Sequence, residues 1–326
     1  MTASPTLTIG IPTFNRRKSV VARVNELFSQ PLPKGVDVMV IDNHSDDGTL
    51  EALAEMAKGN SRLTVLQNPE NLGYAGNFLA LLRSAKAEYL MYNSDEDSIV
   101  LEDLERFVGF LNAKKPDFVS PQARCHGRIY RGQGKDGPIS PTDFRLATFY
   151  ISGITYRVPS ASRFTDFVSD LTRTNTYALL YPQTLLLAAL LTSTESFWYP
   201  TVMTIKQEQL PTHIRNEKGS SYTAPDARVR QGLDLVLFFD SLIEESKHLA
   251  PEEIARIQEM KRAAARRIPG VLRLSISREM PDVLPGFDEG LVRLYKGQSR
   301  LHQNISRVKA VVRDPRRLAR LFRKRA

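Results

Sequence analysis

The chain has 326 residues, 42% of them hydrophobic and 25% charged, which is ordinary globular usage and excludes a disordered chain, a collagen-like rod and a peptide-scale scaffold. Its net charge is +9, yet Ser299–Ala326 holds 10 of the 45 Lys and Arg against one acid, Asp314, leaving 35 bases and 35 acids in the first 298 residues. The body is therefore neutral, and the basic excess does not mark it as a nucleic-acid binder.

From Thr6 to Phe118 short β-rich runs alternate with helical patterns, the mark of a mostly parallel sheet covered by helices. Thr6–Ile11 reads as a strand; Val20, Val21, Val24, Leu27 and Phe28 fall at helical spacing; Val36–Ile41 reads as the second strand. Leu50, Leu53, Ala54 and Ala57 form the next helical stripe, Leu63–Leu66 a third strand, Phe78, Leu81, Leu82 and Ala85 a third helix, and Tyr89–Tyr92 a fourth strand. Leu101, Leu104, Val108 and Leu111 give one more helix, and the turn-rich Arg124–Asp143 reads as a loop. Further on, Thr148–Arg157 reads as a strand, Thr184–Leu191 as a short apolar helix, Leu233–Ile243 as a buried helix and Glu252–Arg267 as an amphipathic helix. The longest apolar run, Leu185–Leu191, is far short of the roughly 18 residues a membrane span needs. With the single cysteine, Cys125, and no basic-then-apolar leader plan in Met1–Asn15, the expected compartment is a reducing cytoplasm.

Polar clusters sit where the strands end, which is where open α/β sheets place ligands. Pro12-Thr13-Phe14-Asn15-Arg16 ends the first strand and opens a helix, where free N–H groups and the helix dipole suit an anion, though a plain helix cap would read the same. Asp42-Asn43-His44-Ser45-Asp46-Asp47-Gly48-Thr49 follows the second: Asp42 can accept the N3–H of a pyrimidine, while Ser45, Asp46 and Asp47 can cap the next helix. In Asn68–Asn77, Gly73 and Gly76 allow close backbone approach, and Asn71 and Asn77 offer donors and acceptors beside a helix start. A three-glycine dinucleotide fingerprint is missing there, so a nicotinamide cofactor is not expected. Asn93-Ser94-Asp95-Glu96-Asp97 follows the fourth strand. Its three adjacent carboxylates are most simply offset by a hard divalent cation with oxygen ligands, the alternative being a solvated acidic turn, and strand alternation would aim Asp95 and Asp97 the same way.

In order and spacing, Ile-Pro-Thr-Phe-Asn-Arg (11–16), Val-Ile-Asp-Asn-His-Ser-Asp-Asp-Gly-Thr (40–49), Asn-Leu-Gly-Tyr-Ala-Gly-Asn (71–77) and Ser-Asp-Glu-Asp (94–97) resemble the family 2 glycosyltransferases, over about residues 6–120. The resemblance implies the GT-A fold: an α/β, mostly parallel sheet flanked by helices, here with a mainly helical C-terminal extension. It implies that Pro12, Thr13, Asn15 and Asp42 bind the nucleotide, that Asn71, Gly73 and Asn77 line the nucleotide or sugar pocket, and that Asp95 contacts the ribose or donor sugar. Asp97 would hold Mn²⁺ or Mg²⁺ bridging the diphosphate, with His213 in Leu210–Asn216 as a further metal ligand and Arg215 and Lys218 beside the diphosphate.

An inverting transfer also needs a carboxylate base for the acceptor hydroxyl. Relatives often carry an acidic pair on the helix after the acceptor strand, which here is Tyr150–Arg157; the equivalent Thr176–Gln183 has no acid, and Asp170, then Glu195, with Asp166 also near, are the substitutes. The expected parts are a catalytic domain at 1–225, a helical region at 226–298 and a basic amphipathic tail at 299–326. In the tail Ile305, Val308, Val311 and Val312, then Leu318, Leu321 and Phe322, run at helical spacing among basic residues, which suits peripheral attachment to the anionic inner face of a cell membrane or simply a frayed terminus. The expected activity is transfer of a hexosyl or deoxyhexosyl group from a nucleotide-diphosphate sugar to a saccharide or lipid-linked saccharide in bacterial surface-polysaccharide assembly. The rivals are a sugar nucleotidyltransferase, which would want a Gly-rich loop after the first strand, and a non-catalytic nucleotide-sugar-binding or membrane scaffold.

Overall fold

The computed structural model describes residues 6–206, 224–246 and 249–279. Its elements run β1 (Leu7–Thr13), α1 (Arg17–Leu27), β2 (Val36–Asp42), α2 (Thr49–Lys58), β3 (Leu63–Gln67), α3 (Gly73–Ser84), β4 (Tyr89–Tyr92), β5 (Ser98–Ile99) and α4 (Leu104–Lys114). Then follow β6 (Phe118–Cys125), β7 (Arg128–Arg131), β8 (Gly137–Pro138), α5 (Phe144–Ala147), β9 (Thr155–Arg157), α6 (Val158–Ser162), α7 (Thr165–Leu171), α8 (Thr176–Leu180), α9 (Pro182–Leu190), β10 (Ser196–Lys206), α10 (Pro225–Glu245) and α11 (Pro251–Glu279).

The strands form one sheet in the order β3-β2-β1-β4-β9-β6-β10-β5, with β7 on β6 and β8 on β10. β1, β2, β3 and β4 are mutually parallel. β9 is antiparallel to both β4 and β6, so β6 and its parallel partner β10 run in the same sense as β1. The C-terminal ends of β1, β2, β4, β6 and β10 therefore share one edge. Alternation explains the packing: Leu7, Ile9 and Ile11 of β1 and Val36, Val38 and Val40 of β2 join Val20 and Val24 of α1 and Leu53 of α2 in one buried cluster. On the opposite face Leu81 of α3 and Leu90 of the neighbouring β4 close over Gly10, where a Cβ would sit 3.1 Å from Leu81 Cδ2 and 2.7 Å from Leu90 Cδ1. Phe78 of α3 stacks on Tyr92 at 4.0 Å between ring centres, and Tyr156 meets both edge-on.

The alternation read through α4 holds, and three expectations need correction. Phe118–Cys125 and Ser196–Lys206 are long strands, not loop or unassigned chain. Each carries a proline, Pro121 opposite Tyr199 in the pairing, and the register slips between Tyr199 and Val202, where Pro200 interrupts the ladder. Within the expected loop, His126 and Gly127 both have positive φ, 49° and 72°, and turn β6 back into β7. The strand expected over Thr148–Arg157 is confined to Thr155–Arg157; Thr148 instead donates to Phe144 O at the end of α5, and residues 150–153 form a loop at the sheet edge.

Residues 242–246 and 249–260 belong with 6–206 in one compact unit, where Arg256 Nη1 donates to Thr192 O at 3.1 Å. Residues 224–241 and 261–279 form the second, in which Lys261 pairs with Asp240 and a Cβ at Gly232 would meet Ile268 at 2.8 Å. Among the described residues no helix is long and apolar enough to cross a membrane.

Candidate active site

The loops that leave the strands at the shared edge carry the polar clusters, as strand ends in open α/β sheets do. Pro12 and Thr13 close β1 beside Ile41 and Asp42 of β2. The loops after these two strands are laced together: Asn15, at φ 51°, donates its N–H to Ser45 Oγ at 2.8 Å and accepts from Asp46 N at 3.0 Å on its Oδ1. Asparagine tolerates this left-handed backbone better than most residues. Asp47 accepts the N–H of Arg17 at 3.0 Å and of Thr49 at 3.1 Å, so one carboxylate caps α1 and α2 together. The α1 start expected to receive an anion thus already has a resident carboxylate.

Asp42 is fully buried. Its Oδ2 accepts from Ser45 N at 3.1 Å and Gln67 Nε2 at 2.9 Å, and its Oδ1 accepts from the Ser45 hydroxyl. These fill three of the roughly four acceptor positions of a carboxylate.

Beside it an amide network fixes the start of α3. The N–H of Leu72 can only donate, at 3.0 Å to Asn43 Oδ1, and this orients the Asn43 amide. Asn43 Oδ1 also accepts from Asn68 Nδ2 at 2.8 Å, while its Nδ2 donates to Asn71 Oδ1 at 2.8 Å and Gly73 O at 3.3 Å. Asn71 Oδ1 accepts from Gly73 N at 2.9 Å; Asn68 Nδ2 donates to Asn77 Oδ1 at 3.0 Å; Asn77 Nδ2 reaches Thr13 O and Ile41 O, both at 3.4 Å. Asn71 and Asn77 therefore tie the start of α3 to the ends of β1 and β2, and Gly73, at φ 68°, supplies the left-handed turn into α3.

The acidic segment after β4 is a turn rather than a strand, closed by Asp97 N donating to Ser94 O at 3.2 Å. Alternation does not apply, and Asp95 and Asp97 address different neighbours. Asp95 Oδ2 accepts from Thr13 Oγ1 at 2.8 Å, and Arg16 lies 3.4 Å from Oδ1 while also pairing with Glu96. Burial raises Asp95 to about 6, with Glu96 and Asp97 adding to the rise and Arg16 and Thr13 opposing it. Asp97, 2% exposed, accepts on Oδ2 from the hydroxyls of Tyr150 and Ser152, and Asn93 Nδ2 holds its carbonyl at 2.8 Å.

Among the described residues no group of three or more His, Cys, Asp or Glu side chains is arranged to enclose a metal ion. The donors here are two buried carboxylates, hard oxygens of the kind that bind Mg²⁺ or Mn²⁺ one or two at a time and leave the other positions to water and phosphate. That donor set fits such a cation.

The remaining residues read from the sequence lie elsewhere. Glu195 precedes β10 at the opposite, N-terminal edge, where its carbonyl accepts from Asp117 N at 2.9 Å; it takes no part in this site. Asp170 is an exposed residue of α7, 3.6 Å from Arg173 one turn on, and Asp166 pairs with Arg83 at the end of α3. His213, Arg215, Lys218 and the basic segment 299–326 lie outside the described residues. Missed from sequence were Tyr150, Ser152, Gln67 and the buried Arg131, whose roles depend on contacts between distant segments. Only the Asn43–Asn68–Asn71–Asn77 recurrence was a visible signal of a shared network.

Residues 8–160 match the family model described as Glycosyl transferase family 2. No curated protein sequence matches the chain. Among solved structures, the mannosyltransferase PcManGT from Pyrobaculum calidifontis, in complex with GDP-Man and Mn²⁺, is similar at TM-score 0.53 and 17% identity over 98% of this chain and 84% of that one. TarS 1–349 from S. aureus is similar at TM-score 0.55 and 15% identity in complex with UDP-GlcNAc, over 88% of this chain and 92% of that one. Its complex with UDP gives TM-score 0.56 and 16% identity over 90% and 93%. At these identities the likeness is one of fold, the GT-A type.

Proposed function

Because residues 8–160 match the family model of glycosyl transferase family 2, we propose that the chain moves a hexosyl or deoxyhexosyl group from a nucleotide-diphosphate sugar to a saccharide or lipid-linked saccharide acceptor. In this reading the transfer inverts the anomeric centre, uses Mn²⁺ or Mg²⁺, and serves bacterial cell-surface polysaccharide assembly. The observation that carries the reading is the convergence of Thr13, Asp42, Asp95 and Asp97 on one sheet edge, held there by partners from other loops.

Asp42 accepts the N3–H of a pyrimidine base through its remaining acceptor position, with Ser45 and Gln67 fixing the carboxylate. Thr13 and Asn15 flank the nucleotide, and Asp95 meets the ribose or donor sugar. Asp97 holds the divalent cation, which when bound neutralises charge on the departing diphosphate. Because the leaving group gains charge only as the glycosidic bond breaks, carboxylates fixed in advance at this edge favour the transition state over the ground state. Neither acid read from the sequence as the acceptor base is assigned that role: Glu195 lies at the opposite edge of the sheet, and Asp170 is exposed on α7 beside Arg173. The positive balance of residues 299–326 supports docking on an anionic membrane surface beside a lipid-linked acceptor.

The test is a panel of nucleotide sugars scored by thermal unfolding with and without Mn²⁺. The true donor at 100 times its dissociation constant adds about 2.7 kcal/mol by mass action, and the rise should need the metal. A panel of UDP-, GDP- and dTDP-sugars with no stabilisation by any member removes the reading.

A further inference from the structure

The loop that touches Asp97 is itself held by a buried cation. Arg131, the last residue of β7, is 1% exposed. Its Nε donates to Pro121 O at 2.9 Å, its Nη2 to Ser152 O at 2.9 Å and its Nη1 to Tyr150 O. Burial pulls the guanidinium down to about 9, against the opposing influence of Tyr150 and Asp97, so it stays charged at neutral pH. Burying a charge whose hydrogen-bond partners are neutral carbonyls is costly, and an apolar side chain of similar volume would fill the space at less cost. What distinguishes the arginine is its fork, which ties three carbonyls of two separate segments at fixed angles.

Two of those carbonyls belong to the residues whose hydroxyls donate to Asp97 Oδ2. Ser152 Oγ also accepts the N–H of Ser94 at 2.9 Å, which ties the same loop to the acidic turn. The backbone wraps the guanidinium at Gly153, φ 86°, where a Cβ would lie 3.1 Å from Arg131 Nη2 and 3.0 Å from Thr204 Cγ2. A continuous path thus runs from guanidinium to carbonyls, along residues 150–152, and through two hydroxyls to one carboxylate oxygen.

We propose that Arg131 is a positioning residue: it braces residues 150–153 so that the hydroxyls of Tyr150 and Ser152 hold the Asp97 carboxylate in the orientation that binds a divalent cation. The inference rests on the reading of Asp97 as the metal-holding residue. Groups that orient a metal ligand from behind typically change metal affinity by 10- to 100-fold when removed.

The experiment measures Mn²⁺ binding to the full chain by the loss of the free-ion electron paramagnetic resonance signal, first with UDP and then with GDP present. Five variants are compared: Arg131→Met, Arg131→Lys, the pair Tyr150→Phe with Ser152→Ala, that pair combined with Arg131→Met, and Asp97→Asn. Circular dichroism checks that each is folded. Arg131→Met and the hydroxyl pair should each weaken Mn²⁺ binding by about 10- to 100-fold, and Arg131→Lys should recover part of the loss. Combining Arg131→Met with the hydroxyl pair should weaken it by less than the product of the two effects, since both act through one carboxylate. A folded Arg131→Met protein with wild-type Mn²⁺ affinity, beside an Asp97→Asn protein that has lost it, overturns the inference and leaves the function reading standing. If the Arg131 variants do not fold, wild-type affinity in the hydroxyl-pair variant overturns it equally. An Asp97→Asn protein that binds Mn²⁺ as well as wild type sinks the metal reading and this inference together.

Discussion

Replacing Asn43 with alanine removes the hub of the amide network at the end of β2. The side chain makes four hydrogen bonds, accepting from Leu72 N and Asn68 Nδ2 and donating to Asn71 Oδ1 and Gly73 O. Two of the four partners keep an alternative: Asn68 Nδ2 still has Asn77 Oδ1, and Asn71 Oδ1 still has the N–H of Gly73. Leu72 N–H loses its acceptor on an exposed residue, where water can replace it, and Gly73 C=O keeps its place in the first turn of α3. At a little under ~1 kcal/mol per net hydrogen bond, the four bonds come to about 3 kcal/mol. For a unit of this size that is a fall in melting temperature of roughly 6–12 °C. Asn43→Asp is the companion variant: it keeps both acceptor bonds but turns the donor toward Asn71 and Gly73 into a buried charge, so it should cost at least as much. Calorimetry and urea unfolding measure both. A melting temperature within about 1 °C of wild type for Asn43→Ala would show that the network is not cooperative and that the 68–73 segment is held by something else.

Gly10→Ala places a methyl 2.7 Å from Leu90 Cδ1 and 3.1 Å from Leu81 Cδ2, and should cost about 1–3 kcal/mol by chemical denaturation; an unchanged midpoint would mean that Leu90 and Leu81 can move aside without penalty. Glu195→Gln should leave kcat unaltered, since the residue lies at the opposite edge of the sheet, and a loss of more than about tenfold would reopen its role as base.

What was legible in the sequence follows from how local each signal is. β1 to β4 and α1 to α4 could be read because their apolar periods are set by the buried face each presents, and Leu7, Ile9 and Ile11 against Val20 and Val24 need no distant information. β6 and β10 could not, because Pro121 and Pro200 break the strand pattern and the pair is held by partners about 80 residues apart in sequence. The four polar clusters were visible as clusters, since strand ends in such sheets are where polar residues gather. Which atom meets which was not. Asn71 and Asn77 could be seen beside a helix start, but not the amide network that ties them to Asn43, Asn68 and the ends of β1 and β2, and Asp95 and Asp97 part company because a turn replaces the strand alternation that would have aligned them. Arg131 carries no local signal: an arginine in a glycine-rich stretch reads as exposed, and only the return of residues 150–153 over the sheet edge buries it.

The central claim is that Asp97 holds a cation which neutralises the departing diphosphate. Its most direct test is the rate of nucleoside-diphosphate release by Asp97→Asn, measured against Mn²⁺ concentration with the donor found in the stabilisation panel. The account predicts that wild-type turnover rises with Mn²⁺ and stops on chelation, whereas the folded variant stays near the chelated level at every metal concentration. An Asp97→Asn protein whose turnover still climbs with Mn²⁺ to the wild-type plateau would contradict it.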